Sequence, residues 1–193
     1  MVDTRSSLID DATTLVRRHG YAGFSYADLA EAVGIRKPSI HHHFPLKEDL
    51  GVEIVAVYTQ RFGERLAGIA GSSSDLRGRL DAYAGLYREG LAAGEGCLCG
   101  VLASELAGLP AQVRSGVERF FALNIEWLEE VLLDAAPARG KRAADLARQQ
   151  ARTVLATFQG AVFVALAVGS PDTFDAAVDG LLAILASKPS RRL

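Results

Sequence analysis

The stretch "FSYADLAEAVGIRKPSIHHHFPLKEDL", Phe24 to Leu50, decides the fold. Ser25 is a good N-cap, and Asp28 three residues on completes a capping box. Leu29, Ala30 and Val33 then give one apolar helix face, and Gly34 suits the left-handed position that closes a helix. Pro38 fits the first turn of a following helix, where a missing N–H costs nothing. Pro45 biases Phe44 away from helical angles and ends that helix. Two short helices joined by a tight glycine turn make a helix-turn-helix, whose second helix can enter the DNA major groove.

Charge supports this reading. The whole chain has a formal net charge of −2, so any affinity for nucleic acid must be local. Between Glu31 and Glu48 there is no acidic residue, while Arg36, Lys37, Lys47, Ser39, His41, His42 and His43 can all donate to phosphate oxygens. Three of the four histidines sit here in a row, which invites a metal or catalytic reading. Successive helical positions point in different directions, and no histidine lies at i+3 or i+4 from another, the spacing that helical metal motifs use. A hydrolytic site needs a nucleophile, a base and an orienting acid in mutual reach. Ser39 and Asp49 lie nearby, but nothing in their spacing makes them converge. No metal, cofactor or catalytic group is expected.

Helical periodicity continues on both sides. Leu8, Ala12, Leu15 and Val16 line one helix face that His19-Gly20 would close. A long helix runs from Leu46 to about Ala70, and Ser74 in "GSSSD" can cap the next, marked by Leu76, Leu80, Tyr83, Tyr87 and Leu91. A short helical piece follows Cys97. Pro110 opens a helix carrying Val113, Val117, Phe120, Phe121, Ile125 and Leu128. After "APARGK" comes a long, nearly apolar helix over 143–168, then "GSPD" and a last helix with Phe174, Val178, Leu181, Leu182 and Leu185. No stretch alternates as a strand does. The expectation is an all-α chain of about nine helices: residues 1–48 a helix-turn-helix domain, 49–187 a larger helical domain, 188–193 a flexible tail.

Apolar residues make up 49% of the 193 and charged residues 23%, the balance of a chain with a packed core. The longest unbroken apolar run, "AVFVALAVG" (Ala161–Gly169), is about half of a membrane span. The polar N-terminus is unlike a secretory leader. Cys97 and Cys99 make no disulfide framework. A cytoplasmic protein without a membrane partner is expected.

The segment Phe24–Leu50 resembles the N-terminal helix-turn-helix of the TetR/AcrR family of transcriptional regulators. That family tends to open its second helix with Thr or Ser, here Ser25. It turns at an Ala-Gly-Val-type corner, here Val33-Gly34-Ile35, and leads into its fourth helix through Phe-Pro-x-Lys-Glu-x-Leu, here Phe44–Leu50. The helix count agrees over the full length. The resemblance implies a homodimer on double-stranded operator DNA, most often a repressor, released by a small-molecule effector. It implies phosphate contacts from Tyr26, Ser39, His41 and Lys47 and base-edge contacts from Arg36 and Lys37; Ser25 and His42 complete the candidate DNA-binding set. His41 departs from the pattern, since the family most often has Tyr there.

The family's effector cavity lies among helices 5 to 8, and its dimer bundle uses helices 8 and 9. Candidate effector-binding residues are Tyr83, Tyr87, Cys97, Cys99, Phe120, Phe121, Asn124, Trp127, Phe158 and Gln159, aromatics, amides and thiols on helices expected to face inward. Helix 8 is apolar on more faces than one chain needs. The candidate dimer interface is therefore Phe158, Val162, Phe163, Leu166, Phe174, Val178, Leu181, Leu182 and Leu185. "GCLCG" (Gly96–Gly100) holds two thiols at i, i+2, poorly placed to pair with each other. They are small core hydrophobes or, as an alternative mechanism, the sensor of a redox- or electrophile-responsive regulator, if Arg88 were near enough to favour the thiolate.

Overall fold

The computed structural model describes residues 4–72 and 75–186; the expected tail 188–193 and the Ser74 cap lie outside them. The described residues form nine α-helices and no strand. In chain order they are α1 (Thr4–His19), α2 (Tyr26–Val33), α3 (Lys37–His43), α4 (Lys47–Ser72), α5 (Leu76–Ala92), α6 (Leu98–Ser104), α7 (Ala111–Asp134), α8 (Lys141–Val168) and α9 (Asp172–Ala186), with a single 3₁₀ turn at Leu106–Gly108. Asp75 takes the cap of α5, its carboxylate accepting the Gly78 N–H at 2.6 Å.

The chain packs as two units. The first joins Met1–Glu64 to Glu95–Leu123, the second Arg65–Gly94 to Asn124–Leu193. Helix α4 belongs to the first unit through Glu64 and to the second from Arg65.

In the first unit, α1 buries Leu8, Ile9, Ala12 and Val16, the stripe its periodicity foretells, against α2 and α6. Leu29 of α2, Ile40 of α3, Phe44 and the start of α4 at Leu50 and Ile54 complete this core. Burying such side chains contributes about 1.5–3 kcal/mol each, which short helices need because they are marginal in isolation. Helix α2 is stopped as well as started. Gly34 has φ +75°, and the N–H groups of Gly34 and Ile35 bond to the carbonyls of Glu31 and Ala30. This is the Schellman arrangement, in which a glycine meets no Cβ penalty.

In the second unit α8 packs along α9, and both pack on α5. Tyr83, Phe158, Phe174 and Val178 are fully buried. By length and composition α8 is able to cross a membrane, the single such helix among the described residues. Isolated polar residues such as Thr153, Thr157 and Gln159 interrupt its apolar sequence, so its longest unbroken apolar run is much shorter than the helix. Its buried positions, among them Val154, Phe158, Ala161 and Val162, are those of a helix packed within a bundle.

The α2 cap is testable. The Ser25 hydroxyl accepts from the N–H groups of Ala27 and Asp28, while the Asp28 carboxylate accepts the Ser25 N–H at 2.7 Å. The Ser25 hydroxyl also donates to that carboxylate at 2.8 Å, and this bond, with the one from the Ser25 N–H, holds the Asp28 carboxyl below its ordinary pKa. Urea unfolding of Ser25→Ala is expected to show a loss of about 1 kcal/mol.

Candidate nucleic-acid interface

Helix α3 offers its first turn to solvent. Arg36, Lys37 and Ser39 are exposed, as are His41 and His42 one turn on, while Ile40 is buried beneath them. Among the described residues Arg36 and Lys37 make no ion pair. A seven-residue helix with one fully buried side chain is thus pinned on one face, and it presents two cations, a hydroxyl and two imidazoles on the other. That arrangement fits the phosphates and base edges of a duplex groove. Ser25 is exposed at the start of α2, its hydroxyl engaged in the cap.

Two members of the sequence-based set turn inward. Tyr26 is buried, and its hydroxyl donates to the Phe44 carbonyl at 2.9 Å. Burial, with Asp49 and Tyr21 nearby, pushes its phenol up to about 12. Its role here is to tie the start of α2 to the end of α3. Lys47 is the second. Its ammonium lies 2.6 Å from the Tyr21 carbonyl and 2.5 Å from the Phe24 carbonyl. It also stands 4.1 Å from the Phe24 ring and 4.8 Å from the Tyr21 ring, within cation–π range. Burial lowers the Lys47 pKa, against the opposing pull of Glu105 and Asp28. In this structure the Lys47 ammonium clamps the α1–α2 loop.

His41 does both jobs. It is exposed, yet its ring meets Tyr26 edge-on at 4.9 Å and its Nδ1 lies 3.3 Å from the Pro45 carbonyl. That contact needs the proton on Nδ1, so Nε2 is an acceptor in the neutral ring and donates to an outside phosphate only in the imidazolium form. His42 and His43 stand edge to face at 5.5 Å.

Sequence reasoning missed two carboxylates. Glu95 is buried and bridges Arg17 at 2.7 Å and Arg18 at 3.0 Å, and Arg17 also donates to the Gly96 carbonyl at 2.7 Å. Glu105 accepts the Ala22 N–H at 3.1 Å and occupies the space where Gly20, at φ +78°, has no Cβ. The one available signal was the Arg17-Arg18 pair ending α1, which calls for a counter-charge that the nearby sequence does not supply.

The candidate effector residues fall into both units, and each group is coherent by itself. In the first, Phe120 meets Tyr58, Phe62 and Phe121. Both thiols are buried there, with the Tyr58 hydroxyl 3.8 Å from Cys97 Sγ, and burial holds the Cys99 thiol well above its usual pKa. A sensor thiol is exposed and thiolate-prone, so these positions favour the packing role. Arg88 is committed elsewhere, to Asp175 at 2.6 Å and Asp81 at 3.0 Å. In the second unit Tyr83, Tyr87, Asn124, Trp127, Phe158 and Gln159 come together. Tyr83 donates to Asn124 Oδ1 at 2.8 Å, the Tyr83 and Tyr87 hydroxyls lie 2.8 Å apart, and Gln159 Nε2 reaches the Tyr87 hydroxyl at 3.4 Å.

The candidate dimer residues divide by burial. Phe158, Val162, Phe174, Val178, Leu181 and Leu182 are buried within the chain's own α5, α8 and α9, and Leu166 and Leu185 are half-buried. The exposed large apolar side chains of these helices are Leu146 (52% exposed), Phe163 (39%), Val164 (50%), Val168 (61%) and Ile184 (69%).

Comparison with known proteins agrees with this geometry. The family model for bacterial regulatory proteins of the tetR family matches residues 8–54. The crystal structure of a TetR-family transcriptional regulator from Agrobacterium tumefaciens is 34% identical, with a TM-score of 0.88 over 95% of this chain and 98% of that one. The transcriptional repressor DhaR of Mycobacterium sp. (strain GP1) is 26% identical over 165 residues, which is 82% of this chain and 80% of DhaR. The transcriptional repressor NemR of Escherichia coli (strain K12) is 29% identical over 127 residues, 61% of each chain.

If Lys47 is a clamp, Lys47→Met keeps the aliphatic stem and removes the ammonium. The variant is expected to lose about 1.5–3 kcal/mol in urea unfolding, the range for hydrogen bonds to a charged group.

Proposed function

This chain belongs to the TetR family of bacterial regulatory proteins, a DNA-binding transcriptional repressor by that membership, and from this premise we propose how it works. Two copies form a cytoplasmic homodimer with no part in catalysis or in a membrane. Residues 1–48 of each copy read one half of a palindromic operator, and residues 49–187 bind an effector and the partner copy. Effector binding favours a spacing of the two reading helices that the operator does not accept.

The observation that carries this reading is the exposed turn Arg36–His42, held rigid from behind and without acidic neighbours on α3. We assign base-edge contacts to Arg36 and Lys37 and phosphate contacts to Ser39, His41 and His42. Tyr26, Lys47 and the Ser25 cap serve by holding that turn in place. The partner surface is the exposed strip Phe163, Val164 and Val168 of α8 with Ile184 of α9. A two-fold dimer has one reading head for each half of an inverted-repeat operator.

Fluorescence anisotropy with DNA from immediately upstream of its own gene, beside a scrambled duplex of equal length, tests the proposal. The expected result is selective binding that weakens steeply with salt. Arg36→Ala should leave the melting temperature unchanged and reduce discrimination between the duplexes by about 1–3 kcal/mol per half-site. Equal, weak, salt-dependent binding to every fragment in a genome-wide selection would sink the reading.

The dimer surface has its own test. Phe163→Glu places a carboxylate at the centre of the strip, at a position already 39% exposed within one chain, so the fold should tolerate it. Light scattering after size exclusion is expected to give a monomer for this variant and a dimer for the parent. A variant that stays dimeric would move the interface elsewhere.

A further inference from the structure

The polar cluster inside the second unit is incomplete in a directional way. Tyr83 has one hydroxyl hydrogen and gives it to Asn124 Oδ1, so the Tyr83–Tyr87 contact is supplied by Tyr87, and Gln159 Nε2 in turn donates to Tyr87. The relay runs Gln159 to Tyr87 to Tyr83 to Asn124, and it fixes which end of the Gln159 amide is used. Gln159 Oε1 is then left as an acceptor, buried and without a protein partner. Trp127 Nε1–H is in the same position as a donor, on a side chain more than nine-tenths buried. A buried polar group with no partner is costly, so two within one cluster call for something that satisfies them.

The surroundings describe that partner. Trp127 lies 5.3 Å from the Tyr83 ring, Tyr83 stacks on Phe158 at 5.5 Å, and Tyr87 and Phe174 meet Phe158 at 5.9 and 5.7 Å. Walls of this kind favour a flat ring over a chain. Every side chain named is uncharged, so an ionic guest would gain no counter-charge from them and would be disfavoured by burial. The two open groups ask for one acceptor, facing the indole N–H, and one donor, facing the amide oxygen. A hydroxyl group is both.

We propose that this cluster is the effector site and that its ligands are neutral one-ring phenols, the hydroxyl accepting from Trp127 Nε1–H and donating to Gln159 Oε1. The assignment rests on the effector-controlled repressor described above and names the chemistry that such an effector needs.

Trp127 is the one tryptophan of the chain, so its emission reports on the site without a label. The intact protein, free of DNA, would be titrated with p-cresol, toluene and benzoate. A saturable change with p-cresol is expected, with toluene and benzoate at least about tenfold weaker, the worth of roughly one unmet hydrogen bond or more. Gln159→Leu should bring p-cresol and toluene to within about threefold of each other at an unchanged melting temperature. Trp127→Phe, followed by calorimetry, should weaken p-cresol by about tenfold. Equal binding of toluene, tighter binding of benzoate, or no saturable change with p-cresol would overturn the proposal; the last would mean that an internal water satisfies both groups. The anisotropy assay then separates the two levels of the argument. Saturable p-cresol binding that leaves the operator complex intact would uphold the site and overturn its role as the effector switch. Selective operator binding without p-cresol binding would overturn the ligand class and leave the repressor standing.

Discussion

Helices of eight and seven residues, α2 and α3, cannot hold themselves in water, and everything this chain does with DNA depends on what holds them. The Lys47 ammonium is the centre of that support. It takes the carbonyls of Tyr21 and Phe24, which a turning loop would otherwise leave to solvent, and it lies against both of their rings. Tyr26 adds a second tie from the start of α2 to the carbonyl of Phe44. A lysine suits the task because its ammonium carries several donors on a flexible stem. Two bonds inward cost the interface one surface cation and give the remaining cations a fixed place to stand.

The same unit extends this rigidity to α6. Glu95 takes both arginines at the end of α1, and Glu105 fills the space above Gly20 while binding the Ala22 N–H. Removing one partner from a buried ion pair leaves an uncompensated charge, which costs far more than the intact pair contributes. The segment on either side of α6 therefore cannot shift and leave α1 behind. Within this unit α1 is thus tied both to the helix-turn-helix and to the segments flanking α6.

The sequence made α2 and α3 legible because their signals are local. A cap, a left-handed glycine and a proline in a first turn each act within three or four residues, so Ser25, Gly34 and Pro38 announce themselves. The exposure of Arg36, Lys37 and Ser39 follows from the single buried residue, Ile40, that such a short helix can offer. The inward bonds of Lys47 and Tyr26 were not legible, because the residue type names a capacity and not a direction. A lysine at a helix start reads as solvent-facing until the loop that folds over it is known. Glu95 and Glu105 were invisible for the same reason, their partners lying 77 and 83 residues away. On α8 the periodicity showed more apolar surface than one chain needs. Only packing divides that surface between the chain's own α9 and what is left outside.

That division gives α8 two faces with different tasks. Successive residues of a helix point about 100° apart, so Phe158 lies in the ring cluster, Gln159 sits at its edge, and Gly160 is already on the exposed side. Phe163 and Val164, one turn further on, continue the exposed strip. Protein interiors are close-packed and transmit small displacements instead of absorbing them. A guest that engages the Gln159 amide therefore pushes on the same rigid rod that carries the exposed strip one turn away. A helix built this way does not require a separate relay between an internal site and an external surface, because both are opposite sides of one backbone.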